Sequence, residues 1–134
     1  MKILVLICRI LLGLIFVVFG ANGLHQFIPA PMPPTGNPLG DFVALMQSTG
    51  WTTAVATFQV IGGLLVLIGG TLPLGLCILC PITVNILLFH TLLHATAPAV
   101  FAPAILVTIL EIVLLYAYRG SFAGIFTTQA KPTN

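Results

Sequence analysis

Residues 74–93, LGLCILCPITVNILLFHTLL, are as apolar as the interior of a lipid bilayer, yet they carry two cysteines, a proline, an asparagine and a histidine. In water that mixture is ordinary. In lipid no solvent satisfies backbone or side-chain polar groups, so each of those residues needs a protein partner or a cavity. Three further stretches, residues 3–23, 52–70 and 99–118, have the same character. About 20 residues at ~1.5 Å each cross ~30 Å of hydrocarbon as a helix.

This repetition excludes a soluble domain. Only 4% of the residues are charged, against ~25% in ordinary soluble proteins, so the chain could not coat a water-facing surface. It reads as an all-α polytopic membrane protein: a four-transmembrane-helix bundle in one domain over residues 1–120, then a polar tail at 121–134. The net charge of +2 rests on too few groups to indicate nucleic acid. The lipid bilayer is the partner expected first, and a protein partner or homo-oligomer stays open. The first stretch has a rival reading as a signal peptide, with Phe19, Gly20 and Ala21 as a cleavage site. Its length and the interruption at Arg9 favour a retained span.

Residues 25–51 form a loop. Pro29, Pro31, Pro33, Pro34 and Pro38 provide no backbone donors and cannot sustain a helix. After them, Phe42, Leu45 and Met46 fall at the spacing of a short amphipathic helix over 39–48, which is expected to cap one end of the bundle, with Trp51 at headgroup depth. An irregular surface loop is the alternative. Lys2 flanks the first span and Arg119 and Lys131 follow the last, whereas the first loop carries only Asp41. The positive-inside rule then predicts a multi-pass protein of the cell (inner) membrane with both termini cytoplasmic.

The intramembrane polar residues fall in layers. Arg9 lies about 10 Å in from Lys2 and Glu111 about 12 Å in from Arg119, at the same level and opposite in sign. A lone charge there costs at least ~2.5 kcal/mol, so an Arg9–Glu111 pair is expected, with snorkelling of Arg9 as the alternative. Gln59 and Asn85 come near the midplane, where they could bond across a hairpin. Asn22, His25, His90 and His94 form the outer layer. His90 and His94 are four apart, a spacing able to hold a metal, but two imidazoles alone complete no site and no metal is expected. Cys77 and Cys80 form a Cys-x-x-Cys. Pro81 removes the donor that would meet the Cys77 carbonyl and loosens the helix beside them. The other reading is two small apolar residues beside a kink. No nucleophile–base–acid set, phosphate loop or zinc signature is present in the sequence.

Five segments together resemble a family. RILLGLIF from Arg9 and FGANG from Phe19 look like the first span of the DoxX-like membrane proteins; VIGGLLVLIG from Val60, PITVNILLFH from Pro81 and LEIVL from Leu110 resemble the second, third and fourth. The resemblance implies a four-helix membrane bundle. It also implies links to thiosulfate:quinone oxidoreduction, membrane redox-stress complexes or receptor-assembly chaperoning. The family often has Glu immediately before Val-Ile-Gly-Gly, where this chain has Gln59. If that acid pairs with the first-span arginine in the family, Glu111 is its substitute here. The expected function is an accessory or assembly subunit of a redox-associated membrane complex, without complete catalytic machinery. The alternative is a quinone- or thiol-linked oxidoreductase component using Cys77 and Cys80. Quinone or lipid are the ligands in view, and Arg9, Glu111, Gln59, Asn85, Asn22 and His90 make up the polar core.

Overall fold

The computed structural model of the chain describes residues 1–93 and 98–133. Its elements are α1 (Lys2–Leu24), α2 (Pro38–Ser48), α3 (Trp51–Ile68), α4 (Leu72–Leu92), α5 (Pro98–Ala117), α6 (Arg119–Phe122) and one 3-10 turn (Ala123–Phe126). No strand occurs among the described residues. α1, α3 and α4 are long and apolar enough to cross a membrane. A fourth crossing arises if Phe101–Ala117 is counted with Arg119–Phe126, from which it is bent by 78°. The outer surface is apolar as well: Leu14, Phe58, Leu64, Val84, Leu88 and Ile109 are all exposed. So large a continuous apolar exterior needs an apolar solvent.

Lipid tails are as apolar as leucine, so burying leucine does not by itself bring membrane helices together. Close backbone approach does. α1 and α3 run antiparallel with Gly13 against Gly63 and Gly20 against Ala56; a Cβ at Gly63 would stand 2.9 Å from the Gly13 carbonyl oxygen. α3 and α4 repeat the device, since a Cβ at Gly75 would stand 2.8 Å from the Gly62 carbonyl oxygen. α5 packs on both α1 and α4, so the contacts close around α1, α3, α4 and α5. The fully buried residues Leu12, Val66, Leu72, Leu76, Leu79 and Leu114 fill the space between them.

The turn between α3 and α4 is tighter than the sequence indicates. Gly69 adopts φ +83°, Leu72 N–H donates to the Gly69 carbonyl at 3.2 Å, and Thr71 Oγ1 donates to the Leu65 carbonyl at 2.8 Å. α4 therefore starts at Leu72, with Pro73 in its first turn, where a missing N–H goes unnoticed. A second difference lies after α5. Within and just before the expected polar tail, residues 119–126 form α6 and the 3-10 turn. Arg119 secures this bend: its Nη1 donates to the Tyr116 carbonyl at 2.9 Å and its guanidinium lies over the Tyr116 ring, 4.5 Å from the centroid. Met1, Lys2 and Arg119 line one common cavity, so α1 begins and α5 ends at the same end of the molecule.

Candidate functional site

At the opposite end the first loop is folded by its polar side chains. Asn22 Oδ1 accepts the N–H groups of Phe27 (3.1 Å) and Ile28 (2.6 Å), which turns the chain back as it leaves α1. Asp41 Oδ1 accepts Gly36 N–H at 2.9 Å, and Asn37 Nδ2 donates to the Pro34 carbonyl at 2.9 Å. Asn37 Oδ1 caps α2 by accepting Gly40 N–H at 3.0 Å. The amphipathic stretch is thus a helix, as its spacing indicates. Phe42 anchors α2 on α4, its ring centroid 5.9 Å from that of Phe89. Gly50, at φ +77°, supplies the left-handed residue on which the chain turns from α2 into α3.

Beneath this roof lies a cavity of about 520 Å³. Its walls are apolar: Ile15 and Phe19 from α1, Val55 from α3, Ile82 and Ile86 from α4, Val107 from α5. Ile28, Phe42 and Met46 close it above. Its polar lining consists of Asn22, Gln47, Thr52, Gln59, Asn85 and His90, and none of the described lining residues is charged. Four residues marked by their depth in the sequence, Asn22, Gln59, Asn85 and His90, therefore come together here. No hydrogen bond joins Gln59 to Asn85 among the described residues; both amides border the cavity. His90 is buried, edge-on to Phe89 and Phe101, with centroid separations of 5.4 and 5.7 Å. His94, the other half of the spaced pair, lies outside the described residues. Gln47 and Thr52 were not singled out by sequence; Gln47 follows Met46 on the amphipathic helix, and that position was its only signal.

The expected Arg9–Glu111 pair is not formed. Glu111 is buried between α5 and α4, where its Oε1 accepts the Thr83 hydroxyl at 2.8 Å. Arg9 instead lays its guanidinium against Gly69, at a point where a Cβ would collide with it, and its buried Nε has no hydrogen-bond partner. The physical reason is direction. The two residues share a depth, but α5 turns Glu111 toward α4, while α1 turns Arg9 toward the end of α3.

Cys77 and Cys80 are free thiols, Cys77 exposed on the outer surface and Cys80 half-buried beside Glu111. Neither borders the cavity beneath the loop. Cys8 is a third free thiol, buried in the core. Among the described residues no three of His, Cys, Asp and Glu converge as a metal site would need.

The polar part of the cavity's lining can exchange hydrogen bonds but supplies no charge among the described residues. Amides and hydroxyls both donate and accept, and they sit in a volume typical of small-molecule sites, ~300–1,000 Å³. No family model, curated protein or solved structure matches this chain.

Proposed function

We propose that this chain is a four-span integral membrane protein of the DoxX-like type that holds one neutral, carbonyl- or hydroxyl-bearing amphiphile beneath its first loop. It acts as an accessory or assembly subunit of a membrane complex. The observation that carries the reading is the roofed cavity, where apolar walls from four helices meet the amides of Gln59, Asn85 and Gln47. A quinone ring or a neutral lipid ester would exchange hydrogen bonds with those amides while its tail lies along Ile15, Val55 and Ile86. A charged headgroup would find no counter-charge there and would be rejected by its desolvation.

The bilayer supplies such ligands, and the apolar exterior supports placing the chain there. With Lys2, Arg119 and Lys131 flanking the first and last spans and only Asp41 in the first loop, both termini are assigned to the cytoplasm. The thiol-linked alternative has less support, because neither cysteine of the Cys-x-x-Cys borders the cavity.

The test is extraction and mass spectrometry of what co-purifies with the protein. Ala104 is buried and lines the cavity, so Ala104→Phe places a ring in the ligand's space. The wild type should carry a neutral lipid or quinone in near-stoichiometric amount, and the folded variant should not. Equal amounts on both proteins, or none on the wild type, would dismiss the reading.

A further inference from the structure

The second cavity lies at the opposite end of the molecule and has the opposite character. It is about 850 Å³, bordered by Lys2, Arg9 and Arg119, with Tyr116 and Tyr118 beside them and Val5 and Val113 forming part of its apolar wall. Three of the chain's four Lys and Arg residues therefore face one space, and no acid borders it. The chain has only two acids. Asp41 is at the far end, bound to Gly36 N–H, and Glu111 is bonded to Thr83 between α4 and α5. No ion pair forms among the described residues, and no acid among them borders this cavity.

Arg9 makes the deficit concrete. Its Nε is buried without a hydrogen-bond partner, and it lies about two turns along α1 from Lys2, roughly 10 Å deeper. Its guanidinium lies against Gly69 at the end of α3, and the residue borders the same cavity as the other two cations. Tyr116 already orients Arg119 through its ring and carbonyl, and both Lys2 and Tyr116 are exposed. The apolar strip between α1 and α5 runs from this charged rim into the lipid-facing surface at Leu6 and Ile112.

We propose that this cavity binds the phosphate of an anionic phospholipid, with Arg9, Lys2 and Arg119 around the headgroup and an acyl chain on the strip beside Ile112. Basic clefts between membrane helices on the side carrying the positive termini suit this ligand, and each cation near an anionic headgroup adds to affinity. Guanidinium groups match phosphate oxygens in pairs, which a neutral zwitterionic headgroup compensates internally. The site rests on the membrane reading but not on any ligand beneath the first loop.

The experiment uses the full chain, delipidated in a neutral detergent and titrated with phosphatidylglycerol or phosphatidylcholine of identical acyl chains, with bound lipid counted by native mass spectrometry. Phosphatidylglycerol should be preferred by at least ~10-fold. Arg9→Gln with Arg119→Gln should remove the preference, and Arg9→Lys with Arg119→Lys should keep most of it. Should Arg9→Gln disturb folding, Lys2→Gln with Arg119→Gln alters only exposed side chains and should still weaken the preference. Equal binding of the two lipids by the wild type, or an unchanged preference in the glutamine variants, would overturn the proposal. Displacement of the lipid by excess inorganic phosphate would overturn it too, by assigning the site to the free anion. None of these readouts depends on Ala104→Phe, so this site and the cavity beneath the first loop stand or fall separately.

Discussion

Glu111 has two conceivable partners, and a pair of double-mutant cycles distinguishes them. In the structure the partner is Thr83, whose hydroxyl donates at 2.8 Å within a buried contact. Thr83→Val removes that donor while nearly preserving shape, leaving the carboxyl without it. A buried acceptor deprived of its donor loses ~1–3 kcal/mol. Interhelical hydrogen bonds in membrane proteins average ~0.6 and reach ~1.7 kcal/mol. Thr83→Val should therefore destabilise by about 1–1.5 kcal/mol. Glu111→Met should cost less, because the Thr83 hydroxyl it strands can turn to a carbonyl of its own helix. The coupling in a Thr83→Val, Glu111→Met cycle should be about 1 kcal/mol, whereas an Arg9→Met, Glu111→Met cycle should add to within ~0.5 kcal/mol. Unfolding in mixed micelles with rising sodium dodecyl sulfate, followed by circular dichroism, measures all of these. A coupling of ~3 kcal/mol between Arg9 and Glu111, the size expected when a buried ion pair loses one member, with none to Thr83, would refute the assignment.

Two further outcomes follow from the packing and the topology. Gly63→Ala brings a methyl to 2.9 Å from the Gly13 carbonyl and should destabilise by about 1–3 kcal/mol in the same assay, whereas Gly124→Ala, which meets nothing within 4 Å, should change little; equal effects would show that α1 and α3 do not approach as described. With both termini cytoplasmic, a cysteine at Thr35 should react with an impermeant maleimide in intact cells and one at Thr133 only after lysis; the reverse labelling would invert the orientation.

Depth is easy to obtain from sequence, because every helical residue adds the same rise. Apolar runs of about 20 residues located α1, α3, α4 and α5 to within a few positions, and the charges at their ends aligned Arg9 with Glu111. Direction about the helix axis needs a reference face, and a helix apolar all round supplies little of one. Hence the pairing is absent although the two residues share a depth by residue count. The missing signal was Thr83. Threonines in apolar helices commonly return their hydroxyl to a carbonyl four residues back, as Thr57, Thr91 and Thr108 do here, so Thr83 passed as another. Its place three residues after Cys80, on the same face, is what turns both toward Glu111. The cavity beneath the loop was half legible. Asn22, Gln59, Asn85 and His90 stood out as polar residues in lipid, but Gln47 enters only because Asn22, Asn37 and Asp41 fold the loop back over the helices.

The fully buried leucines have an electrical meaning. Along α1, Arg9 borders one cavity, Leu12 is buried to 0% exposure, and Ile15 borders the other; along α5, Val107 and Ile112 take the same places on either side of buried Leu110. Val66, Leu76 and Leu79 complete that layer at 0% exposure. The layer holds one charged group, Glu111, which is buried and bonded to Thr83, and otherwise presents leucine and valine between the two cavities, so it should act as an insulator toward a transmembrane voltage. Vesicles containing the protein should hold an ion gradient as well as empty ones do, and each cavity must fill and empty through its own leaflet.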